Sequence, residues 1–323
     1  MTTILLGPQR FTTTVGSTIR SLDVAGRIAM VNSGWEERES DDGELAGHLD
    51  GRGVNLRLHH RMMDVLAKDE QFAAAALDFR DRQDELRAFY GIRLQGAVDA
   101  VRDVGHRTSL HDVGPAAVEA AIEAVRDVDR WYAAQLAELY RSVREVTRPD
   151  ESGLFGWHRG EINAVLDECD TVVVAGGNVR TLMRTLRVFD VAFRPGQTVV
   201  AWSAGAMALT DQVVLFHDFT AQGVTADEVH DTGLGRVPGV LVLPHAKRRL
   251  RLDDRERMSL LARRFAEHRL VLLDDGAVVR FPDGDQGGEG AGGEGEGGDG
   301  RARVPAGARV VEPDGRVAVV AAA

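Results

Sequence analysis

The chain has a single cysteine, Cys169, among its 323 residues. That excludes an internal disulfide framework and a cysteine-rich metal site. Basic residues are outnumbered, 39 Lys and Arg against 50 Asp and Glu, for a net charge of −11. An acidic balance of this size argues against nucleic acid as the main partner. No apolar run approaches the length of a transmembrane helix, so no membrane partner is expected. The opening residues, Met1-Thr2-Thr3-Ile4-Leu5-Leu6-Gly7, lack a basic n-region and a long apolar h-region. The expectation is therefore a chain without a secretory signal, working in the cytoplasm. What is present is an apolar content of 44%, normal for a full core, in a length that suits two domains or one large one.

Short apolar runs ended by turn residues recur at both ends of the chain and read as buried strands. Residues 3–6 stop at Gly7-Pro8, and residues 27–31 stop at Asn32-Ser33-Gly34. Val54, Leu56 and Leu58 alternate with polar residues and predict a third strand. Residues 61–146 change character: Ala, Leu, Glu, Arg and Asp dominate, and apolar residues recur at helical spacing. Leu86, Phe89, Tyr90 and Leu94 are one such series. Three or more helices and no strand are expected there, with breaks near Gly105 and Gly114-Pro115. His59 and His60 adjoin this segment, and neighbouring histidines on a regular strand cannot both face one metal.

The strand–helix alternation returns from Glu161. Thr171-Val172-Val173-Val174-Ala175 is nearly all apolar, as a parallel strand covered on both faces should be. Gly176-Gly177-Asn178 breaks it, and a helix begins near Thr181. Further strands are expected at 198–200, 212–216, 240–243 and 270–273, with a helix near 254–267. Residues 284–300 are almost only Gly, Glu and Asp, a composition that cannot build a core. Pro313-Asp314-Gly315 between two apolar runs signals a hairpin.

Ala201-Trp202-Ser203-Ala204-Gly205-Ala206 is the stretch with the most chemical content. It lies between an apolar strand and a small-residue helix start, the layout of a nucleophile elbow. Small neighbours let the turn close tightly, and the Ala204 N–H at the new helix can face a developing oxyanion. The competing reading is a serine that merely caps a buried helix. Two more strand ends carry suitable groups, His245 after 240–243 and Asp274 after 270–273. A nucleophile needs a base, and the base needs an acid to orient it; parallel strands bring their C-terminal ends together. Asp218 also follows an apolar run. Asp275 is a third candidate, but it should point away from Asp274 if strand geometry persists. Gly177 can supply a second oxyanion donor, because glycine lets the main chain approach a ligand. Arg248, Arg249 and Arg251 read either as a solvated helix start or as an anion clamp.

In this order the motifs resemble the S51 serine peptidases, which include aspartyl dipeptidase and cyanophycinase. Ala175-Gly176-Gly177-Asn178 is similar to their Gly-Gly-Asn/Asp motif, and Ser203-Ala204-Gly205-Ala206 to their nucleophile motif, with Ala201 where glycine is usual. The run from His245 through Arg249, Arg251 and Leu252 is similar to that of cyanophycinase. The resemblance implies an α/β fold of the class I glutamine amidotransferase type, a parallel sheet with helices on both faces, here with an inserted helical subdomain. Composition and motifs together divide the chain into a first part of the α/β domain (1–60), a helical insertion (61–147) that the resemblance does not cover, a second part with the catalytic motifs (148–283), a flexible loop (284–300) and a C-terminal hairpin (301–323). The resemblance implies a serine hydrolase cleaving peptide or isopeptide bonds in short acidic substrates. Ser203 is the nucleophile, His245 the base and Asp274 the acid, with Asp218 as the alternative acid. Gly177, Asn178, Ala204 and Arg249 serve the oxyanion and substrate. No metal or organic cofactor is implied. The expected partner is a small peptide substrate, and a homo-oligomer is allowed. The alternative is a catalytically inactive protein that binds a partner through the same cleft.

Overall fold

A computed structural model describes residues 2–22, 24–219, 226–282 and 302–322; the Gly/Glu-rich stretch 284–300 lies outside them. Five parallel strands form the centre: β1 (Thr2–Leu6), β2 (Arg27–Val31), β3 (Gly53–Asn55), β4 (Cys169–Val174) and β5 (Thr198–Trp202). They stand in the order β1-β5-β4-β2-β3. Side-chain alternation sends successive residues to opposite faces. Leu5, Ala29, Val172, Val174 and Val199 enter one core, and Ile4, Leu6, Ile28, Val173 and Val200 enter the other. Helices α1 (Val15–Arg20) and α2 (Gly43–His48) cover the second face through Val15, Ile19, Leu45 and Leu49.

The predicted strand at Val54–Leu58 is shorter than its alternation suggests. Arg57 is left-handed at φ 52° and Leu58 opens helix α3 (Leu58–Lys68). The reason is Glu39, a buried carboxylate that accepts the N–H groups of His59 and His60 at 3.0 and 2.9 Å. It satisfies the orphan donors of the first turn.

Helices α4 (Glu70–His106) and α5 (Val113–Thr147) make a long hairpin, with Tyr90 stacked on Tyr132 at 4.3 Å. Its root is fastened by polar bonds. Tyr90 Oη donates to Asp129 at 2.7 Å and accepts from the Val229 N–H at 3.0 Å. Tyr140 Oη donates to Asp231 at 2.7 Å. Beyond α5 come α6 (Gly153–Asp167), α7 (Val179–Val188) and α8 (Ala204–Ala208). Cys169 opens β4 as a buried thiol whose pKa is raised by desolvation.

The remaining strands do not extend the parallel sheet. Among the described residues β6 (Gln212–Leu215) pairs only with β7 (Glu228–Thr232), antiparallel. β8 (Val240–Pro244) and β9 (Arg269–Leu273) run parallel to each other in a second sheet. They are separated by α9 (Ala246–Arg249) and α10 (Arg255–Arg264). β10 (Val278–Pro282) returns antiparallel along β1. β11 (Arg309–Val311) and β12 (Val317–Val319) form the C-terminal hairpin and pair with β9. Val240, Val242, Val271 and Leu273 face the core shared with the central sheet. Leu241, Leu243, Leu270 and Leu272 face α10 and the α4–α5 hairpin. The two sheets thus pack through one core, and the ends of β5 and β8 meet between them.

Candidate active site

Ser203 follows β5 and sits at φ 50°, ψ −119°, a conformation that costs a non-glycine residue on the order of 1–3 kcal/mol. The surrounding packing fixes it. A Cβ on Gly205 would lie 2.2 Å from the Val174 carbonyl oxygen, and one on Gly176 would lie 2.8 Å from Ser203 Cβ. Only residues without a side chain let α8 start this close to the end of β4. The usual glycine position holds Ala201, whose methyl is fully buried in the core. The Ser203 side chain caps nothing. Its Oγ lies 3.5 Å from His245 Nε2. The hydroxyl is thus aimed at a histidine and not at its own helix. The separation is long for a hydrogen bond, as catalytic pairs often are without substrate.

His245 follows β8 in the left-handed region, φ 58°, ψ 29°. Its N–H donates to the Leu273 carbonyl at 3.0 Å, so β9 holds the residue that β8 delivers. Burial lowers the imidazole pKa, and the Arg249 and Arg248 guanidiniums lower it further; Asp275 and Asp274 pull the other way, Asp275 more. The ring is thereby kept in the neutral form that a base requires.

Ser203 and His245 face a cleft of about 260 Å³, which Gly177, Ala204 and Arg249 also line. Among the described residues the N–H groups of Gly177 and Ala204 have no acceptor. Arg249 has neither a hydrogen bond from its guanidinium nor an ion pair there, and desolvation lowers its pKa. Gly177 stands at φ 132°, and a Cβ on it would meet the Gly34 carbonyl oxygen at 2.3 Å. Glycine is required at this close approach. Asn178 is turned elsewhere: its side chain accepts from Thr181 N at 3.2 Å, capping α7, and donates to Glu36 at 2.9 Å. The cap outcompetes a place in the cleft because it satisfies a helix donor.

The aspartates are held by other partners. Asp274 accepts from the Lys247 N–H at 2.8 Å and pairs with Arg309 at 2.5 Å. Asp218 accepts from the Arg251 N–H at 2.8 Å and is ion-paired with Arg257. Asp275 pairs with Arg248 at 2.5 Å. Among the described residues no carboxylate hydrogen-bonds to the His245 ring. Asp274 holds the first turn of α9 through the Lys247 N–H, and Asp218 holds its end through Arg249 and Arg251, so together they fasten the segment that carries His245 and Arg249. Among the described residues no three His, Cys, Asp or Glu side chains gather as a metal site, and no helix is long and apolar enough to cross a membrane.

Glu36 was not legible as part of this neighbourhood. It is strained at φ 58°, ψ −125°, and its carboxylate accepts from Asn178 Nδ2 and, at 2.6 Å, from Thr181 Oγ1. It ties the loop after β2 to the start of α7, beside Gly177. Nothing in Ser33–Arg38 signals this except Gly34, whose carbonyl accepts the Asn178 N–H at 2.7 Å.

Comparison with known proteins gives three findings. No curated protein matches the chain. Among solved structures, the crystal structure of a peptidase from an acI-B1 Actinobacterium aligns over 87% of this chain and 82% of that one, at 12% identity and a TM-score of 0.39. The model of peptidase family S51 matches residues 122–286, more than half of the 323 residues and the span holding Ser203, His245 and Asp274: the chain belongs to peptidase family S51.

Proposed function

We propose that this chain is a serine-type peptidase in which Ser203 attacks the scissile carbonyl and His245 is the base. One observation carries the reading: Ser203, in a strained strand-to-helix turn, presents Oγ 3.5 Å from His245 Nε2. Nε2 takes the hydroxyl proton as the Oγ–carbon bond forms. The carbonyl electron pair moves to oxygen, where the free N–H groups of Gly177 and Ala204 receive it. Nε2 then gives its proton to the leaving amine as the amide bond breaks. Water, activated by the same base, releases the acyl group. Asp274 acts on the base through the main chain: its carboxylate holds the Lys247 N–H two residues beyond His245, and its charge favours the imidazolium. No metal or organic cofactor enters.

The proposed substrates are short acidic peptides of the aspartyl type. Arg249 supports this, as an uncompensated guanidinium lining a small cleft, suited to a carboxylate. The His245–Arg249–Arg251–Leu252 run favours the cyanophycinase-like branch. A second reading, a binding protein without catalysis, is favoured by the finding that among the described residues no carboxylate is bonded to the ring. A fluorophosphonate probe separates them. Labelling that is lost in Ser203→Ala and His245→Ala supports the peptidase; a folded wild type that never labels supports the binder.

A further inference from the structure

A second cavity, of about 450 Å³, lies between α7 and the root of the α4–α5 hairpin. It shares no lining residue with the Ser203 cleft. Its volume is that of a small-molecule site, and its wall is mostly apolar, with Phe72, Val143, Phe155, Leu186, Val191 and Leu234. Arg184 of α7 reaches this wall. Arg184 is half-buried, and the more deeply buried arginines are compensated: Arg264 by Asp129, and Arg257 by Asp218 and Asp227. Arg184 has no hydrogen bond or ion pair among the described residues, and its Nε is buried with no acceptor. Arg187, one turn on, also leaves its Nε buried and unsatisfied, while its Nη2 is occupied by Asp231 and Thr232. The one carboxylate on the wall, Asp190, is already shared by Arg144 and Arg159. A guanidinium N–H withdrawn from water without an acceptor is costly, and the cost is recovered when an anion arrives to accept it.

We propose that this cavity binds a small carboxylate with a hydrocarbon body, its carboxylate on the Arg184 guanidinium and its body against Phe72, Phe155, Leu186 and Leu234. One uncompensated guanidinium balances one negative charge, and its planar fork matches a carboxylate. The apolar wall excludes a ligand that is polar throughout. The site is independent of the peptidase reading, because it holds none of the residues that reading uses.

The test is calorimetric titration of the full chain with decanoate and with 1-decanol, which carries the same body without the charge. The expected result is saturable binding of one decanoate per chain, with 1-decanol weaker. Arg184→Met, which keeps the bulk and removes the donors, should weaken decanoate about ten-fold or more. Leu234→Trp, which fills the cavity and keeps the charge, should abolish binding. Thermal melting reports whether each variant is folded; if Arg184→Met is not, Leu234→Trp decides. No saturable decanoate binding to the wild type overturns the proposal, as does wild-type affinity in a folded Leu234→Trp or Arg184→Met chain.

Discussion

Gly205→Ala isolates the packing that places Ser203, the proposed nucleophile. The new methyl would stand 2.2 Å from the Val174 carbonyl oxygen and 2.8 Å from that of Ala175. Ordinary contact begins near 3.4 Å. β4 is paired on both edges, with β2 and with β5, so the strand stays and the start of α8 retreats by roughly 1 Å. Ser203 precedes Gly205 by two residues, and its Oγ already stands 3.5 Å from Nε2. A further displacement on that scale takes the hydroxyl out of proton-transfer reach, and misplacement of about 1 Å costs roughly 100-fold in rate. Overpacking costs about 1–3 kcal/mol, which a domain of ordinary stability, about 5–15 kcal/mol, survives. The assay is the second-order rate constant for fluorophosphonate labelling, with a thermal melt on the same sample. The expected outcome is labelling slowed about 100-fold in a chain that still melts cooperatively. A folded variant that labels at the wild-type rate would refute the argument that this glycine sets the geometry.

Three further outcomes are expected. Arg249→Met removes a positive neighbour that lowers the His245 pKa, so the acid limb of the pH profile of kcat/KM should move to higher pH, and KM for an acidic peptide should rise; an unmoved acid limb counts against it. Asp274→Asn should lower turnover on the order of 10- to 100-fold through displacement of the base with little loss of stability, whereas Asp218→Asn breaks a buried ion pair and should lower the melting point first, by an amount equivalent to about 3–5 kcal/mol; the reverse pattern in activity assays and melts would exchange their roles. Burial pushes the His230 imidazole down to about 4, below its unfolded value of about 6.5, so the unfolded chain takes up the proton first and stability is lost as pH falls from about 6.5 to 4. Asp227, raised by burial to about 6, acts in the opposite sense over part of that window, so the readout is the difference between wild type and His230→Gln in urea midpoints, which should grow with acidity in favour of the variant.

The parallel strands were legible because burial on both faces writes itself as an unbroken apolar run, as in Thr171–Val174. The helices α4 and α5 were legible from their 3.6-residue spacing. β7 was not, since Glu228–Thr232 carries Glu, His, Asp and Thr among its five residues. Its carboxylates are held by distant partners: Glu228 by Arg87, and Asp231 by Tyr140 and Arg187. Those contacts, not propensity, make it extended. β10 ends in a proline and lies at the sheet edge, where a missing donor is tolerated. Nor does periodicity say which strand neighbours which. The division into two sheets, with β8 and β9 paired to the C-terminal hairpin, depends on pairings far apart in sequence.

The same limit explains the site. Ser203, His245 and Gly177, which line one cleft, are each marked locally in the sequence, by a strand end or by a glycine that nothing else can replace. The carboxylate is marked by no local signal, since Asp218, Asp274 and Asp275 all follow apolar runs. Alternation would set Asp274 and Asp275 on opposite sides, but β9 ends at Leu273. A turn takes over there, in which the Ala277 N–H donates to the Asp274 carbonyl at 3.0 Å. Asp274 then turns to Arg309, which arrives from the C-terminal hairpin, and Asp275 exerts the larger pull on the ring while paired with Arg248. The consequence is chemical. In the proposed mechanism the base must be neutral before the reaction, and desolvation with Arg249 and Arg248 favours that form of the His245 ring. The imidazolium that the proposal forms on attack would need a counter-charge, which Asp275 and Asp274 would supply through space, while among the described residues the main chain of α9, rather than a bond to the ring, positions the imidazole.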